Sequence, residues 1–115
     1  MAEEPRPFRH FPRLSIEIGV LVRKAGGESS EILATTRSVS SGGCMLVHDQ
    51  SLGVGSPLEL LISLPGRVIK AQGQVVWENE RASGEVEMGI EFLRMNSEDR
   101  RILEATIATK ASTQK

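Results

Sequence analysis

The sequence predicts a mostly β fold: a six-stranded antiparallel β-barrel with a C-terminal α-helix packed against one end. Three observations predict it. Apolar and polar residues alternate in six short runs between residues 14 and 92. Polar segments containing glycine or proline separate the runs. Beyond Phe92 the apolar spacing changes from that of a strand to that of a helix. A length of 115 residues suits one hydrophobic core. With three Phe, one Trp and no Tyr, that core must be aliphatic.

The elements follow in order. Pro5, Pro7 and Pro12 fix φ and remove donors, so residues 1–13 read as a flexible N-terminal arm. Residues 14–110 form the barrel and its helix. From Leu14, the residues Ile16, Ile18, Val20 and Val22 share one face of a first strand. Residues 25–30 form a turn or loop. Ile32, Ala34 and Thr36 alternate in the second strand, which a polar, glycine-rich turn over 38–43 interrupts. Cys44 and Leu46, with His48 at the end, make a short third strand. A loop over 49–57 leads to Leu58, Leu60 and Ile62 in the fourth. Ile69, Ala71, Gly73, Val75 and Trp77 alternate in the fifth, where Gly73 marks a bulge or bend. After a turn over 79–84, Val86, Met88, Ile90 and Phe92 alternate in the sixth. Asn96 or Ser97 caps a helix whose first turn carries Glu98 and Asp99, favourable against the helix dipole. Ile102, Leu103, Thr106 and Ile107 give it one apolar face, and it should end near Lys110, leaving 111–115 as a disordered tail.

Composition narrows the function. A net charge of −1 lacks the broad basic surface that a nucleic acid polymer requires, and the aromatic platforms that stack single strands are missing. No apolar run approaches a membrane span, and the acidic start has no signal-peptide core, so no membrane insertion and a cytoplasmic location are expected. Cys44 is the sole cysteine, which rules out an internal disulfide. On the apolar side of its strand it reads as a small buried hydrophobe and not as a nucleophile. His10, His48 and Cys44 have no metal-ligand spacing, so no metal site is expected. Most carboxylates fall on exposed faces and turns, and no phosphate-binding or dinucleotide-binding glycine motif is present. Neither an enzyme nor a cofactor is expected.

Two segments carry binding chemistry. Arg9 and Arg13 lie four apart on a proline-restrained segment before the first strand. Guanidinium groups grip phosphates with forked donors and stack on flat rings. The same pair also reads as a solvated basic arm or as partners for surface acids. Ser38, Ser40 and Ser41 with Gly42 and Gly43 offer hydroxyls and a backbone that a ligand can approach closely. Taken alone, that segment reads as an ordinary hairpin turn.

Together the segments resemble the PilZ domain, whose signature is Arg-x-x-x-Arg followed by Asp/Asn-x-Ser-x-x-Gly. Arg9 and Arg13 match the first part, and Ser40 and Gly43 the second. Ser38 stands where the family prefers Asp or Asn. Gly73-Gln74-Val75-Val76-Trp77 is similar to a late PilZ strand. Gly89-Ile90-Glu91-Phe92 and the segment from Ser97 to Leu103 are similar to the family's last strand and closing helix. The resemblance covers residues 6–108. It implies a six-stranded barrel that binds cyclic di-GMP, a bacterial second messenger. Arg9 and Arg13 would meet its phosphates and guanines, while Ser38, Ser40 and the backbone up to Gly43 would contact it from the barrel, Gly43 through its backbone freedom. Arginine matches guanine O6 and N7 bidentately. Ordering of the arm would carry the signal to a downstream protein partner. The alternative is a degenerate PilZ adaptor that binds a protein and no nucleotide.

Overall fold

Six alternating strands bury one face each by closing on themselves. The structure, a computed structural model, describes residues 14–25 and 31–113, with side chains through residue 110. Arg9 and Arg13, the rest of the arm and most of the turn over 25–30 lie outside the described residues. The strands are β1 (Gly19–Lys24), β2 (Glu31–Ser40), β3 (Gly43–His48), β4 (Pro57–Leu64), β5 (Arg67–Glu80) and β6 (Val86–Arg94), followed by helix α1 (Ser97–Thr113). They close in the order β1-β2-β3-β6-β5-β4, antiparallel throughout. The predicted barrel and helix are both present, and among the described residues every strand is paired on both sides.

The core is aliphatic as expected: Val20, Leu46, Leu60, Ile62, Met88 and Ile90 are fully buried inside the barrel. The first strand begins later than its alternation suggests. Leu14 exchanges two backbone hydrogen bonds of 2.9 Å with Val39. Thr36 then replaces ladder bonds with its side chain: its hydroxyl donates to the Ile16 carbonyl and accepts the Ile18 N–H at 2.9 Å. Ile16 and Ile18 therefore keep their inward periodicity without regular strand pairing. The second strand, in turn, runs further than expected. Ser38 and Ser40 lie within β2, and the turn that follows is only Ser41 and Gly42.

Each barrel end has its own closure. At one end, the Glu78 carboxylate accepts hydrogen bonds from the Ser51 hydroxyl (2.6 Å) and the backbone N–H groups of Leu52 (2.8 Å) and Gly53 (3.0 Å). This holds the loop that carries buried Leu52. At the other end sits α1. Asn96 is the cap, its Oδ1 accepting the Asp99 N–H at 2.8 Å. Leu103 and Ile107 bury the expected face, Ile102 and Thr106 flank it, and the helix runs to Thr113, past Lys110. Asp99 does more than face the helix dipole. It is buried, accepts the Lys70 N–H at 3.1 Å and lies 3.6 Å from the Arg67 guanidinium. Arg100 donates to the Ser41 carbonyl at 2.6 Å, which ties α1 to the β2–β3 turn. No helix among the described residues is long and apolar enough to cross a membrane.

Two expected outcomes test these closures. Asp99→Ala should cost about 1–3 kcal/mol in denaturant unfolding, because the Lys70 N–H loses its acceptor. For Glu78, burial favours the neutral acid, but the donors from Ser51, Leu52 and Gly53, with the nearby charge of Lys24, outweigh it and hold the carboxyl below its usual range. A carboxylate favoured in the folded state stabilises above its unfolded value, and that contribution is lost as pH falls through the lowered folded value. Glu78→Gln should therefore lower the thermal midpoint at neutral pH. The gap from the unsubstituted protein should close in acid, below about pH 4.

Candidate functional site

The site is made by two single-residue bulges. Thr36 pairs with Leu46, but Ser38 pairs with Met45, so Arg37 is an extra residue in β2. Side chains alternate faces along a strand, so one extra residue flips those that follow. Thr36 faces the core. Beyond Arg37 it is Val39 that faces inward, at 1% exposure, while Ser38 and Ser40 turn to the outer face. The same device recurs in β5. Val75 pairs with Ile90, but Trp77 pairs with Gly89, which makes Val76 the extra residue. The expected alternation puts Trp77 inward with Val75. The bulge corrects this and turns the indole outward. The shift expected at Gly73 is also present, although there the extra residue is Leu93 on the partner strand.

Register then assembles two parallel rows on the outer face of β2, β3, β6 and β5. One row is Ser38, Met45, Gly89 and Trp77; the next is Ser40, Gly43, Glu91 and Gln74. A small cleft of about 40 Å³ lies over them, lined by Ser38, Ser40, Gly43, Cys44, Met45, Trp77 and Gly89. The structure thus brings together the three predicted residues that lie within its described part, Ser38, Ser40 and Gly43.

Their local settings differ. Ser40 is committed to the turn: its hydroxyl accepts the Gly42 N–H at 3.2 Å and donates to the Gly43 carbonyl at 3.3 Å. The Ser38 hydroxyl has no hydrogen-bond partner among the described residues. Gly43 is not needed for unusual dihedral freedom, since its φ is not positive. The requirement is space: a Cβ there would stand 2.2 Å from the Ile90 carbonyl oxygen. Gly89 is constrained likewise, because the Trp77 ring lies where its Cβ would be, 2.2 Å from Nε1. Cys44 lines the cleft as a buried residue whose thiol burial pushes up to about 12, so it is protonated and inert at neutral pH.

Trp77, Gly89 and Glu91 were not evident as site residues from the sequence. The signal for Trp77 was the spacing Gly73-Gln74-Val75-Val76-Trp77, whose adjacent valines permit a bulge without requiring one. Leu14 fixes where the preceding segment joins the barrel. By pairing with Val39 it places that junction between Ser38 and Ser40.

Comparisons with known proteins agree with the fold. No curated protein matches the chain. Among solved structures, the chain is similar to the Bacillus subtilis inhibitor of motility MotI/DgrA, with a TM-score of 0.81 and 21% identity over 93% of this chain and 52% of that one. It is similar to the PilZ domain of YcgR from Escherichia coli, solved with c-di-GMP, with a TM-score of 0.75 and 15% identity over 92% and 93% of the two chains. It is also similar to the K. pneumonia MrkH–c-di-GMP complex, with a TM-score of 0.75 and 16% identity over 99% of this chain and 57% of that one. The chain thus spans about half the length of MotI/DgrA and of MrkH. At these identities the structures establish a shared fold. The family model for the PilZ domain matches residues 7–109, and on that match the chain belongs to the PilZ domain family.

Proposed function

We propose that this chain is a receptor for cyclic di-GMP and works as a regulatory binding domain with no catalysis of its own. The observation that carries the reading is the pair of bulges, which face Ser38, Ser40 and Trp77 outward on one surface beside the point where the arginine-bearing segment joins. A flat purine suits that surface: an indole for its face, hydroxyls and turn backbone for its edge. The described part of the two rows carries no cation, so the charge that a cyclic dinucleotide's phosphates need falls to Arg9 and Arg13. Two of the similar structures hold c-di-GMP. Wrapping of the ligand by the arm would order it, and the ordered arm would present a new surface to a partner. A cytoplasmic location fits a ligand made and sensed inside the cell.

A second reading has its own observation. Leu33, Leu21 and Leu61 stand in register across the outer face of β2, β1 and β4, and Leu33 is 69% exposed. Such a row favours a protein-binding adaptor, and Ser38 in place of Asp or Asn weakens one ligand contact. Nucleotide binding separates the two readings.

Titration calorimetry with cyclic di-GMP, with GTP as control, should give saturable dinucleotide-specific binding, low-micromolar or tighter. Arg9→Ala or Arg13→Ala should abolish it with little change in thermal midpoint. Unfolding of these variants would show the arginines to be structural. Ser38→Asn should tighten binding about fivefold, the equivalent of one recovered polar contact. No heat and no thermal shift at high ligand would favour the adaptor.

A further inference from the structure

We propose that Glu91 is the base-reading residue of this surface, and that it selects guanine by accepting the N1–H and exocyclic N2–H donors on that base's edge. This assignment rests on the cyclic di-GMP reading. Glu91 stands in the row of Ser40 and Gly43, paired with Gly43 on one side and Gln74 on the other. It lies two residues from Gly89, so strand alternation gives it the same outward face as the cleft. Adjacent strands are about 4.8 Å apart, which sets Glu91 about one strand from Gly43 and about two from Ser40. A purine laid across the cleft spans that interval.

The chemistry points to one base. An ionised carboxylate only accepts, and it does so with two oxygens. Glu87, the other acid of β6, pairs with Arg81, and Glu78 of β5 holds the Ser51–Gly53 loop. Glu91 is half-buried, and its carboxylate has no hydrogen bond or ion pair among the described residues. A carboxylate beside a site for a dianion costs electrostatic energy unless it meets donors. The guanine edge carries N1–H and N2–H side by side, matched to the two oxygens. Adenine presents an acceptor at N1 and is disfavoured there. The neighbouring Gln74 amide can accompany the contact as acceptor or donor.

Cyclic di-IMP tests this directly, because its bases keep N1–H and lack the exocyclic amine. Calorimetry on the full chain should show the unsubstituted protein preferring cyclic di-GMP over cyclic di-IMP by about tenfold. Glu91→Ala should bind cyclic di-GMP about tenfold or more weakly and lose most of that preference, with an unchanged thermal midpoint. Ser38→Ala should weaken both ligands in proportion and keep the preference. If Glu91→Ala keeps full affinity for cyclic di-GMP, or keeps the preference, the assignment is overturned and the receptor reading stands. If the unsubstituted protein binds neither ligand, the receptor reading falls and takes the assignment with it.

Discussion

The constraint on which the rest of the site depends is strand parity. In an unbroken β2, the residues that follow Thr36 at even spacing would continue into the core, and two serine hydroxyls would be buried without water. One extra residue, Arg37, reverses that. In an unbroken β5, Trp77 would follow Val75 inward, into a barrel already filled by aliphatic side chains. One extra residue, Val76, turns the ring out and lays it over Gly89. Two local insertions thus convert a closed barrel, whose outer face would otherwise be ordinary, into one with a polar and aromatic surface on four adjacent strands.

That surface is held stiffly. Gly43 and Gly89 let β3 and Trp77 approach β6 more closely than any side chain would permit. The Gly42 carbonyl accepts the Phe92 N–H at 2.9 Å, and the Ser41 carbonyl accepts from Arg100. The Ser41–Gly42 turn is therefore fixed by β6 and by the first turn of α1, where Asp99 also anchors the helix to β5. A ligand seated on the turn would press against groups that also seat the helix. Among the described residues, Arg100 links that turn to the helix.

The fold was legible because its signals are redundant. Each strand repeats the same alternation several times, and each turn carries glycine or proline, so a misplaced boundary does not alter the architecture. The helix was marked by its cap and by Leu103 and Ile107. The site was legible in part. Ser38, Ser40 and Gly43 were found through a motif, but the motif is silent on parity, and a bulge is a single residue with no side-chain signature. Trp77 was accordingly placed inward, and the need for Gly43 was ascribed to dihedral freedom when it arises from the Ile90 carbonyl. Asp99 looked like a helix-dipole residue because nothing in its local sequence shows the Lys70 N–H that it accepts across the fold. Glu91 was one outward carboxylate among many until register put it beside Gly43.

The proposed receptor function requires the two bulges to build one ligand-binding face. Amide and indole chemical shifts of the ¹⁵N-labelled chain, followed during a cyclic di-GMP titration, test it most directly. Perturbations should gather at Ser38 to Met45, the Trp77 indole N–H, Gly89 and Glu91. The Leu21, Leu33 and Leu61 amides, across the barrel, should stay in place. Shifts centred on that leucine row, or none at saturating ligand, would contradict it.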